Sequence, residues 1–166
     1  MARRFRSNSA ENGAMRRRML LLAALLALPG QAAAPAGPEV NTEGGVGLGG
    51  FDPVAYFTEG RAVRGLAQVA AAHDGVEYRF ASGANRAAFL ADPARFLPQY
   101  GGFCAFAVAR GYKAVVDPTA FAVVDGRLYL NYNADIQAQW QRGQARDIWR
   151  GDANWPQVKL SRDVAR

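Results

Sequence analysis

Sulfur and imidazole are scarce in this sequence. It holds one cysteine, Cys104, and one histidine, His73, and its three methionines, Met1, Met15 and Met19, all stand at its start. One cysteine excludes a disulfide within the chain. A closed structural zinc site needs four nitrogen or sulfur ligands, and a methionine-rich copper carrier needs thioethers. Neither can be built beyond residue 34 without carboxylates or a second subunit. Any Ser-His-Asp or Cys-His pair would have to take its base from His73.

Positive charge is what the sequence has in plenty, with 20 Lys and Arg against 14 Asp and Glu and a net charge of +6. It is unevenly placed. Residues 1–34 carry six arginines and a single acid, Glu11, which leaves 14 bases against 13 acids, or +1, for the rest. Arg16-Arg17-Arg18 precede an apolar run, Met19 to Leu28, then Pro29-Gly30 and Gln31-Ala32-Ala33-Ala34. Such a run rises only about 15 Å as a helix, half of a hydrocarbon core of roughly 30 Å, so it predicts a cleaved signal peptide over residues 1–34 with no stable membrane anchor after its removal. The expected location is periplasmic or secreted. The nearly neutral remainder predicts no nucleic-acid partner.

Residues 35–166 suit one domain, large enough to bury roughly two-thirds of its unfolded surface. Residues 35–50 are rich in Gly and Pro and predict a flexible lead-in. Asp74-Gly75 between Gly65–Ala72 and Val76–Ala81 predicts a tight hairpin, and Asp125-Gly126 between Phe121–Val124 and Arg127–Asn131 predicts a second, with Pro118 in the turn before it. Ser82 caps a short helix reaching Asp92, and Asp92-Pro93 opens another through Tyr100. Phe89 with Phe96 and Leu90 with Leu97 are expected in the core. Residues 103–111 are expected as a buried helix. Asn133 caps a helix that places Ile136 and Trp140 on one side. A last helix holds Ile148 and Trp149 and closes at Trp155-Pro156, with residues 157–166 peripheral. The fold class is α+β: two short antiparallel hairpins with several short helices around one core.

The two Asp-Gly turns are 51 residues apart, each is followed by a tyrosine, Tyr78 or Tyr129, and each strand leads to a capped helix. Such turns are common, so coincidence and duplication both account for the match. Gly45-x-Gly47-x-x-Gly50 satisfies a dinucleotide-binding pattern, but no strand-turn-helix unit surrounds it and Asp52-Pro53 follow, which marks a loop. Cys104 reads either as a small buried hydrophobe or as a thiolate ligand or redox site. His73 reads as a turn residue or as a metal or proton-handling group.

One string of motifs is more specific. Phe51-Asp52-Pro53-Val54-Ala55-Tyr56-Phe57, His73-Asp-Gly-Val-Glu-Tyr78-Arg-Phe80-Ala-Ser82, Asn85-Arg-Ala-Ala-Phe89, Asp92-Pro93-Ala-Arg-Phe96 and Tyr100-Gly-Gly-Phe-Cys104-Ala together resemble the YHS domain. The continuation through Val124–Asn133 to Ala153–Pro156 is similar to the stand-alone exported bacterial members. YHS domains attached to copper-transporting ATPases carry cysteines at positions that are here Ala55, Ala81 and Asn85. The resemblance therefore implies a family whose metal set this chain lacks.

Two ligand expectations follow. Cys104 with His73, helped by Asp52, would hold a metal, and two soft ligands suit copper as Cu(I) rather than structural zinc. Tyr56, Tyr78 and Tyr100 would line a ligand pocket. No catalytic residue is assigned. Three functional classes stay open: an exported binding protein, a non-catalytic structural or interaction domain, and a thiol-dependent enzyme.

Overall fold

A computed structural model of the protein describes residues 39–166; the expected signal segment, residues 1–34, lies outside them. The described chain begins with β1 (Thr42–Glu43), β2 (Val46–Gly47), a 3-10 turn (Leu48–Gly50) and α1 (Ala55–Thr58). The first hairpin, β3 (Leu66–His73) and β4 (Val76–Phe80), leads into α2 (Gly83–Ala91) and α3 (Pro93–Phe96). A second 3-10 turn (Gln99–Gly102) precedes α4 (Ala105–Val108) and β5 (Lys113–Ala114). The second hairpin, β6 (Asp117–Val124) and β7 (Arg127–Asn131), is followed by α5 (Ala134–Arg142), α6 (Gln144–Val158) and β8 (Val164–Ala165). The class is α+β, as the sequence predicts.

Both hairpins close as expected, because Asp and Gly hold left-handed backbone at each turn: φ is +48° and +79° at Asp74-Gly75, +50° and +71° at Asp125-Gly126. That geometry matches the right-handed twist of the strands it joins. The correspondence then runs well beyond the turns. In the first hairpin Leu66 pairs with Phe80 but Ala70 with Arg79; in the second Asp117 pairs with Asn131 but Phe121 with Leu130. Every partner is shifted by 51 residues, and so is the bulge. Ser82 accepts from the Asn85 amide and Asn133 from the Ile136 amide, capping helices of nine residues each. Arg86 reaches the Ala70 carbonyl, and Gln137 reaches that of Phe121.

Upstream the offset is 52. Leu48-Gly49-Gly50-Phe51-Asp52 answers Tyr100-Gly101-Gly102-Phe103-Cys104, and three consecutive positive φ values recur: +56°, +56° and +80° against +56°, +59° and +78°. The Asp52 amide donates to Val63 at 2.8 Å, and the Cys104 amide to Ala114 at 3.0 Å. Val46 pairs in parallel with Glu77, and Pro98 with Leu128. The described residues thus hold two copies of one unit, turn–helix–hairpin–helix, extended after the second copy by α6 and β8.

β7 joins the two halves. Leu128 and Leu130 enter a core with Val76, Phe80 and Phe89, whereas Tyr129 enters a second cluster with Tyr100, Phe103 and Trp140. Burying each of these large side chains contributes roughly 1.5–3 kcal/mol.

Several local expectations are corrected. The lead-in is ordered from Thr42, because β2 pairs with β4 and Gly47, lacking a side chain, lets the Tyr78 ring pass; a Cβ there would lie 2.7 Å from Tyr78 Cε1. Pro118 lies inside β6, where the register shift between Asp117 and Phe121 removes the need for its missing N–H. The helix expected over residues 103–111 is a single turn, α4, ended by Gly111 at φ +87°. The helix expected through Tyr100 stops at Phe96, because Leu97 turns extended. Phe89 and Phe96 are buried but Leu90 is exposed, since one residue after Phe89 it turns off the single buried side of α2. Finally, α6 continues through Pro156, and residues 157–166 are not peripheral. Val158 is buried, β8 pairs with β5, and buried Lys113 donates to the carbonyls of Lys159 and Ser161 at 2.8 and 2.6 Å.

Candidate functional site

Asp52 opens the first copy's helix as an internal anchor. It is fully buried, and both its oxygens are engaged by N–H donors. Oδ1 accepts from the amides of Val54 at 2.8 Å and Ala55 at 3.4 Å; Oδ2 accepts from the amide of Ala81 at 2.8 Å and from Asn85 Nδ2 at 2.7 Å. Three of these donors belong to Ala55, Ala81 and Asn85, the positions that the resemblance drawn from the sequence sets against cysteines. The fold does gather those positions, but around a carboxylate, with two methyl groups and an amide instead of thiols. The donor set does not fit a metal.

His73 ends β3, where its ring meets Phe89 edge-on at 5.9 Å between centroids and its Nε2 lies 3.4 Å from the Asp74 carboxylate. Cys104 belongs to the other copy. Among the described residues no group of three or more His, Cys, Asp or Glu comes together. The expected trio of Cys104, His73 and Asp52 is therefore not one site, because the copies place Asp52 and Cys104 at equivalent points of different units.

The three tyrosines do not share a pocket either. Tyr56 packs edge-on against Phe121 and donates to the Pro118 carbonyl at 2.9 Å. Tyr78 packs against Phe89. Tyr100 sits in the second cluster and donates to the Ile148 carbonyl at 3.2 Å and to Asp152 at 2.9 Å. Burial raises all three phenols above their ordinary value, Tyr78 to about 12, with the Asp74 carboxylate adding to the effect there. They are core residues, and the hydroxyls of Tyr56 and Tyr100 find partners within the protein.

Cys104 is the residue that does border a cavity. Its sulfur lies under a pocket of about 190 Å³ walled by Phe106, Ala107, Ala114 and Ile136 and rimmed by the exposed rings of Tyr112 and Tyr132. Ala165, from β8, closes one side. The Asn131 amide, fully buried, places Oδ1 3.9 Å from Sγ. Burial pushes the thiol pKa up, opposed by hydrogen bonds from the backbone amides of Ala107, Tyr132 and Phe106 and by the Arg110 charge. The thiol is accordingly protonated at neutral pH. A wider and more polar cleft of about 540 Å³ shares Tyr132 and is bordered by Phe51 and Arg64.

In comparison with known proteins, the chain matches no family model, no curated protein and no solved structure. Asn131, Tyr132, Tyr112 and Ile136 were not among the residues the sequence nominates. Aligning the two Gly-Gly-Phe segments, 52 residues apart, would have placed Cys104 on Asp52, and aligning the two Asp-Gly turns, 51 apart, would have placed Tyr132 and Ile136 on Ala81 and Asn85.

Proposed function

We propose that the chain is an exported binding domain of the YHS type, without a catalytic set of its own, that holds a small and largely apolar ligand over Cys104. The observation that carries this reading is the pocket of about 190 Å³ with a thiol at its floor and exposed tyrosines at its rim. A dry cavity of roughly 150 Å³ accepts a benzene ring, so the volume suits a ligand of one ring. Its walls contribute apolar contact, and the rim tyrosines add a polar edge. A metal is the weaker reading, since among the described residues Cys104 belongs to no group of three or more His, Cys, Asp or Glu.

The test is titration of the protein with phenol, followed by amide NMR. Perturbations confined to residues 104–114, 132–136 and 165, abolished by Ala107→Phe, support the pocket. Saturating Cu(I) binding that vanishes in Cys104→Ala, without any response to phenol, overturns it in favour of a metal.

A further inference from the structure

The duplication places Cys104 where the first copy has a buried carboxylate. Asp52 is held by the amides two and three residues ahead, by the amide just before the Ser82 cap, and by the Asn85 side chain. Around Cys104 the corresponding amides are those of Phe106, Ala107 and Tyr132, the last just before the Asn133 cap, and each opposes the rise that burial causes in the thiol's pKa. The Asn85 position is Ile136, so the fourth donor is missing there. A buried amide arrives from another direction instead. Asn131 is fully buried and turns its carboxamide toward the sulfur, Oδ1 3.9 Å from Sγ, while its Nδ2 has no hydrogen-bond partner among the described residues. An unpartnered buried donor is costly, which marks it for an acceptor. Rotation of the amide would exchange Oδ1, now accepting from the Phe106 amide at 3.3 Å, for that donor.

We propose that Cys104 is an oxidation site whose sulfinate takes up, in the second copy, the place that the Asp52 carboxylate holds in the first. A sulfinate has the connectivity of an aspartate side chain: one atom beyond Cβ bearing two oxygens that share one negative charge. The oxidant is a peroxide small enough to enter the pocket. In the first step the thiolate sulfur attacks one peroxide oxygen, the O–O bond breaks, and hydroxide leaves, giving sulfenic acid. In the second the sulfenate sulfur attacks another peroxide, adding an oxygen and releasing water. Sulfur loses two electrons in each step and the peroxide oxygens gain them. The burial that keeps the thiol protonated makes the first step slow, whereas the cradle of N–H donors stabilises the final anion. The product puts a charge on the floor of an apolar pocket and so closes it to apolar ligands.

Oxidation of Cys104 does not depend on any pocket ligand, so it is tested on the metal-free, ligand-free protein. Graded hydrogen peroxide is followed by intact mass and by thermal unfolding. The expected result is a plateau at two added oxygen atoms on Cys104, with a melting temperature above that of the reduced protein. Cys104→Asp is expected to melt above Cys104→Ser, and Asn131→Leu to reduce the rise on oxidation while Asn85→Ala leaves that rise unchanged. An oxidised protein that melts below the reduced one, or a Cys104→Asp chain that melts below Cys104→Ser or fails to fold, overturns the proposal.

Discussion

Asp52 and Cys104 show how much one side chain changes when the backbone around it is held constant. The same turn and the same set of backbone amides receive a carboxylate in one copy and a thiol in the other. Asp52 satisfies its donors and becomes a structural anchor, while beside Cys104 the Asn131 Nδ2 has no partner among the described residues. The buried tyrosines make a second point at this scale. Burial pushes the Tyr78 phenol from 10.0 up to about 12. Between those values the unfolded chain has lost a proton that the native one retains, so this contribution is fully present below pH 10.0 and is lost as pH rises through about 12. Tyr56, Tyr100 and Tyr129 act in the same direction. Stability measured by denaturant unfolding is therefore expected to fall above pH 10, and Tyr78→Phe to make that fall shallower by up to one proton, about 1.4 kcal/mol per pH unit. Equal slopes in the two proteins would show that Tyr78 titrates alike folded and unfolded.

At the scale of elements, the repeated Gly-Gly turn places equivalent glycines in unequal surroundings. Gly49 and Gly101 share left-handed φ values of +56° and +59°. A Cβ at Gly49 would touch only Pro118, at 3.4 Å, whereas at Gly101 it would run into the backbone of Glu39 and Val40. That segment is tied down by the Asn41 amide, which donates to the Gly101 carbonyl at 2.8 Å. Gly49→Ala is expected to cost about 1–2 kcal/mol from backbone strain alone. Gly101→Ala should cost more and also release residues 39–41, seen as faster amide exchange at Asn41. Similar losses and unchanged exchange would contradict this. The tight turns, the two helix caps and the hairpin pairing were legible in the sequence, because Asp-Gly, Ser82 and Asn133 act on neighbours a few residues away. The bulges and the inclusion of Pro118 in β6 were not, since they depend on where β7 and β4 break their pairing.

Across the whole molecule, the copies are not independent domains. Leu128 and Leu130, from the second copy, complete the core around Phe80 and Phe89 of the first. The fragment 39–98 is therefore expected to lack a cooperative thermal transition and amide dispersion when expressed alone, and to regain both with residues 99–166 in the same chain. Native-like dispersion in the isolated fragment would show that the first copy has a sufficient core of its own. α6 and β8 distinguish the second copy. α6 carries Gly151 against the Tyr100 hydroxyl, and β8 brings Ala165 to the wall of the Cys104 pocket. Among the described residues no helix is long and apolar enough to cross a membrane.

The sequence alone determined the fold class, both hairpins and the helix caps, because each follows from short-range chemistry: left-handed turns, capping oxygens and alternating burial. It also contained the 51-residue echo without deciding between coincidence and duplication. Only the tertiary structure decided that, through ladders, bulges and caps that agree residue for residue. Tertiary structure likewise separated Asp52, His73 and Cys104, sent the three tyrosines into the core, and brought Asn131 and the C-terminal strand to the thiol. Those outcomes depend on which side chains meet across distant segments, and no spacing along the chain specifies such meetings.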